Sequence, residues 1–106
     1  MLENQSFGGA FSARSPAPYL AHELPSRGAL LRRYYAIGHY SLANYIALIS
    51  GQGPNEATQE DCVSFDDFRM SGAELDADGQ AHGIGCVYPK SVPTLPDQLE
   101  AAGLSW

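Results

Sequence analysis

Leu42, Tyr45, Ile46 and Ile49 recur at i, i+3, i+4 and i+7, which predicts a short amphipathic helix over 42–50. Gly51 follows, as glycine does just past a helix end. Before this helix, residues 29–37 (Ala-Leu-Leu-Arg-Arg-Tyr-Tyr-Ala-Ile) are rich in large and aromatic side chains. Their length and flanking glycines favour a strand over the tail of a helix. Over 16–27, Tyr19, Leu20 and Leu24 have helical spacing, and Pro25 is expected to end that helix early. Thr94-x-x-Asp97 reads as a capping-box variant opening a last helix, with Pro96 in its first turn, Leu95, Leu99 and Ala102 on one face and Gly103 at its end. Leu2 reads as the end of a strand, and Leu104-Ser105-Trp106 as the start of another.

Between 56 and 93 the pattern gives way to an irregular, acidic stretch. So long a stretch should be functional, stapled or an insertion. Within it, Asp76-Ala-Asp78-Gly79 lacks the third oxygen ligand before the glycine and the closing Glu of a calcium loop, and reads as a hairpin turn. The order strand, helix, strand, helix, loop, helix, strand predicts an α/β domain with a largely parallel sheet.

Composition narrows the function. At 106 residues the chain forms at most one small domain. A net charge of −6, with basic residues adjacent only at Arg32-Arg33, argues against nucleic acid or an anionic membrane as partner. No apolar run reaches the roughly 18 residues of a membrane span, and no signal peptide is visible. The two cysteines, Cys62 and Cys86, fit one disulfide or two free thiols, and the pattern leaves both open.

Ser41 carries the candidate chemistry. A hydroxyl at a strand-to-helix turn faces free backbone N–H groups and the positive end of the helix dipole, a ready anion site. The same residue is also a common helix N-cap.

Nine blocks, in order, resemble the bacterial phosphoesterase family of acid phosphatases and phospholipase C-like enzymes, in the alkaline-phosphatase-like superfamily. They are Met1-Leu2-Glu3-Asn4-Gln5-Ser6-Phe7, Ala17-Pro18-Tyr19-Leu20, Gly28-Ala29-Leu30, Tyr34-Tyr35-Ala36, His39-x-Ser41-Leu42-x-Asn44-Tyr45, Leu48-Ile49-Ser50-Gly51, Asp61-Cys62, Gly85-Cys86-Val87-Tyr88-Pro89, and the run from Asp97 to Trp106. The resemblance implies part of a three-layer αβα sheet, truncated at both ends. It implies Glu3 and Asn4 as ligands of a divalent metal ion, Ser41 as the catalytic nucleophile, and Asn44 as a hydrogen-bond partner of a phosphate oxygen. His39 fits the same motif and is grouped with the substrate-binding residues.

The implied substrate is a small phosphate ester or phospholipid, and the implied location of the parent protein is extracellular or periplasmic. Tyr40 and Ala43 stand where the family usually has prolines, so the turn aiming Ser41 should be less stiff. The acidic and histidine ligands of the family's second half have no counterpart here, which predicts an N-terminal fragment with little or no turnover. His22 and His82 fall in no block and read as surface histidines. The alternative function is a small disulfide-stapled extracellular binding module without catalysis, using the 56–93 stretch.

Overall fold

The computed structural model describes residues 5–106. The chain divides into two compact units, with the boundary between Tyr35 and Ala36.

In the first unit, helix α1 (Phe7–Phe11) is capped by Ser6, whose Oγ accepts from the Gly9 N–H at 3.1 Å. The Phe7 and Phe11 rings, one turn apart, stack with centroids 5.2 Å apart. The helix expected over 16–27 forms in two pieces. A π-helical turn, Tyr19–Glu23, runs directly into helix α2 (Leu24–Arg27). Pro25 does not end the run; it occupies the first turn of α2. Its ring would clash with the carbonyl four residues back in a regular α-helix. Here the preceding turn is wide, and the Leu24 N–H reaches the Tyr19 carbonyl five residues back.

Residues 29–37 form no strand. The Tyr34 N–H bonds to the Leu31 carbonyl in a turn, and Leu31, Tyr34, Tyr35 and Ile37 are exposed. A strand needs a neighbour to take its backbone N–H and C=O groups. Among the described residues none pairs with this run.

The second unit holds helix α3 (Ser41–Ser50), helix α4 (Glu56–Gln59), strands β1 (Arg69–Met70) and β2 (Gly83–Ile84), and helix α5 (Leu95–Ala101). The helix α3 closes as its sequence predicts. Gly51 is left-handed at φ 70°, and its N–H bonds to the Ala47 carbonyl at 2.8 Å. Strands β1 and β2 pair antiparallel, Arg69 opposite Ile84 and Met70 opposite Gly83. They are the only sheet among the described residues. Helix α5 carries the expected box: the Asp97 N–H reaches Thr94 Oγ1, and the Asp97 carboxylate accepts from the Thr94 N–H at 2.7 Å. Beyond it, 104–106 is not a strand. The Leu104 N–H turns back to the Leu99 carbonyl, and the Trp106 indole donates to Glu100 Oε1 at 3.1 Å. Those bonds use local partners in place of a neighbouring strand.

Apolar burial in this unit is modest: Ala43, Cys62, Phe68 and Val92. Polar ties and covalent chemistry supplement it. Cys62 and Cys86 form a disulfide, with Cα atoms 6.0 Å apart. Asn55 caps α4 and reaches across to the 85–88 segment, donating to the Gly85 carbonyl and the Tyr88 hydroxyl, each at 3.0 Å. Gln52, almost wholly buried, donates to the Gly79 carbonyl and accepts from the Ala81 N–H, both at 2.7 Å. Gln80 returns the clamp, accepting from the Gly53 N–H and donating to the Gly51 carbonyl. The Phe68 and Tyr88 rings stack at 4.5 Å. Gly85 is obligatory beneath them, because a Cβ there would lie 2.4 Å from the Phe68 Cα.

Asp76 makes the expected turn. Its Oδ1 accepts from the Asp78 and Gln80 N–H groups, and Gly79 takes φ 76°. The exposed His82 is not idle there, since its Nε2 lies 2.6 Å from Asp76 Oδ2. These hydrogen bonds, that of Gln80 first, hold the Asp76 carboxyl below its ordinary range.

Candidate functional site

Ser41 is the first residue of α3, not its cap. The N-cap position belongs to Tyr40, which is extended at ψ 165° and offers no side-chain cap. Ser41 is half-buried and already engaged in a contact. The exposed amide end of α3 is served from a distance: Asp61 Oδ1 accepts from the Leu42 N–H at 2.8 Å, across 19 residues of chain. The helix end thus carries an anion supplied by the chain itself. A carboxylate there is favoured by the unsatisfied N–H groups and by the positive end of the helix dipole.

Asn44, one turn into α3, fastens the loop that leads to Ser41. Its Oδ1 accepts from the N–H groups of Ile37 and Gly38 at 2.9 and 3.2 Å. Its Nδ2 donates to the carbonyls of Gly38 and Tyr40 at 3.0 and 2.8 Å. Both amide hydrogens are used, so Asn44 could donate to a phosphate oxygen only by giving up one of these bonds. Gly38 allows the close approach, because a Cβ would stand 2.9 Å from the Ala43 Cβ. Four hydrogen bonds from this one side chain stiffen the loop that leads to Ser41. His39 lies in the same loop, exposed, its ring edge-on to Tyr40 at 5.3 Å.

Glu3 and Asn4, the metal ligands that the resemblance implies, lie outside the described residues. Among the described residues no group of three His, Cys, Asp or Glu side chains could hold a metal ion. No helix among the described residues is long and apolar enough to cross a membrane.

A cleft of about 650 Å³ opens beside the C-terminal half of α3, where Ile46 and Ile49 face Pro89, Lys90 and Val92. Ser41 does not line it. Tyr88 borders this cleft, and burial raises its hydroxyl pKa above the ordinary 10.0.

No protein-family model, curated protein or solved structure matches the chain.

Ser41 and Asn44 lie one turn apart in α3, and His39 lies in the loop before it. Asp61 carries no role in the sequence pattern beyond a motif block. Its one local signal is residue type, since Asp tolerates the left-handed backbone that Asp61 adopts at φ 56°. Its partner, 19 residues earlier, leaves no trace in the pattern.

Proposed function

We propose that this chain carries the nucleophile segment of a metal-dependent phosphoric ester hydrolase, with Ser41 as the residue that accepts the phosphoryl group. The observation that supports it is the placement of Ser41 in the first turn of a ten-residue helix, after a loop fastened by Asn44 and beside the Leu42 N–H, which already holds a carboxylate. In this reading Ser41 Oγ releases its proton to water and forms a bond to phosphorus as the P–O ester bond breaks, and the departing oxygen takes a proton from water to leave as the alcohol. The first-turn amides of α3 stabilise the negative charge that builds on the phosphoryl oxygens. Asn44 holds the turn so that Oγ keeps its aim, and His39 lies within the same loop as a substrate contact. Glu3 and Asn4 would supply ligands to the divalent metal, whose chemistry is to polarise the phosphoryl oxygens and lower the hydroxyl pKa. A three-layer αβα sheet and an exported parent protein belong to the same proposal.

The test is incubation with p-nitrophenyl phosphate and magnesium, manganese or zinc, followed by peptide mass analysis. The expected result is a phosphoryl group on Ser41 with little sustained turnover, and no label in Ser41→Ala. Label absent from Ser41, or unchanged in the variant, overturns the reading.

The disulfide favours a second reading, a stapled extracellular binding module without catalysis. It keeps the polar ties of the second unit and drops the chemistry at Ser41, so the labelling experiment separates the two.

A further inference from the structure

Among the described residues, Asp61 and Cys62 alone combine a side chain with positive φ, at 56° and 53°. Two such residues in succession are an unfavourable local arrangement, which persists only where the surroundings impose it. The surroundings are on both sides. Cys62 is buried and its sulfur is bonded to Cys86. Cys86 in turn lies on a fixed segment: its N–H bonds to the Asp66 carbonyl at 2.9 Å, and the neighbouring Gly85 is held by Asn55. One residue before Cys62, the Asp61 carboxylate is on the Leu42 N–H. Tyr40 offers no side-chain cap, so the α3 end draws this hydrogen bond from the 61–62 turn.

We propose that the Cys62–Cys86 disulfide is a redox latch on the start of α3: it holds the left-handed 61–62 turn, and through that turn keeps Asp61 on Leu42. The latch stands apart from any phosphoryl chemistry, since it concerns the order of the helix start and not its reactivity. Opening takes two electrons and two protons from a dithiol. The Cys62–Cys86 S–S bond breaks, each sulfur leaves as a thiol, and the dithiol closes to its own disulfide. Once free, the 61–62 turn relaxes to ordinary backbone angles, the carboxylate leaves the Leu42 N–H, and the residues around Ser41 loosen while α5 stays formed.

The experiment is amide hydrogen exchange by NMR on the full chain, oxidised and after dithiothreitol, with thiol titration to confirm reduction. Leu42 is expected to exchange about fivefold faster on reduction, the scale of a lost helix cap. The Asp97 and Gln98 amides at the α5 start are expected to keep their rates. In Asp61→Ala, Leu42 should already exchange fast in the oxidised protein, and reduction should add nothing further. Three results overturn the latch: an unchanged Leu42 rate in the reduced protein, a reduction effect that persists in full in Asp61→Ala, or loss of protection throughout the unit, which would make the disulfide a general staple.

Discussion

Asn55→Ala removes the most connected side chain of the second unit, and the structure sets its cost. The Asn55 Oδ1 accepts from the Ala57 and Thr58 N–H groups, an N-cap worth about 1 kcal/mol. Its Nδ2 donates to the Gly85 carbonyl and the Tyr88 hydroxyl, and each part-buried bond contributes about 1 kcal/mol. The sum is about 3 kcal/mol, a large share of the roughly 5–15 kcal/mol that holds a typical domain together. Urea unfolding with the disulfide intact, followed by tyrosine and tryptophan fluorescence, measures it. The midpoint should fall with the slope unchanged. Asn55→Asp retains the cap acceptor and loses only the donated bonds, so it should recover about 1 kcal/mol. A loss below about 1 kcal/mol in Asn55→Ala, or near-complete recovery in Asn55→Asp, would refute the view that this amide joins α4 to the 85–88 segment.

Other outcomes follow from the same geometry. Gly85→Ala places a Cβ 2.4 Å from the Phe68 Cα, and should destabilise by on the order of 3 kcal/mol or prevent folding. Gly8→Ala, in α1 with nothing within 4 Å, should be neutral or slightly stabilising by thermal melt. The Thr94 hydrogen bonds hold the Asp97 carboxyl below its ordinary 3.8. Its contribution is therefore full above that value and fades as acid carries the pH down through the lowered pKa, seen as fraying of the α5 amides. Tyr88 is raised instead, so the folded state retains its proton longer than the unfolded chain. Stability should decline as the pH rises above 10.0, and phenolate absorbance should show one tyrosine titrating after the others.

Elements that carry their own termination signals were legible in the sequence. The α3 stripe with Gly51, and the Thr94–Asp97 box of α5, state both period and ends, and both helices form where expected. Residues 29–37 and 104–106 failed as strands because residue type suggests extended backbone but cannot supply the partner that pairs with it. The π turn before Pro25 was hidden because a proline signals a break, whereas a widened turn accommodates it equally well. At the candidate site, Ser41 and Asn44 were readable from one short motif. Asn44 faces its own loop because its amide groups find four backbone partners within seven residues. Asp61 was unreadable because a cap supplied across 19 residues depends on a turn that the disulfide and backbone fix together.

The decisive question for this protein is whether the start of α3 receives a phosphoryl group. Titration of isotope-labelled protein with orthovanadate, a mimic of the pentacoordinate phosphoryl transition state, tests this by NMR with magnesium present. Saturable amide shifts centred on Ser41, Leu42 and Ala43, lost in Ser41→Ala, are the predicted result. Shifts that centre elsewhere, or none at these three amides, would contradict it.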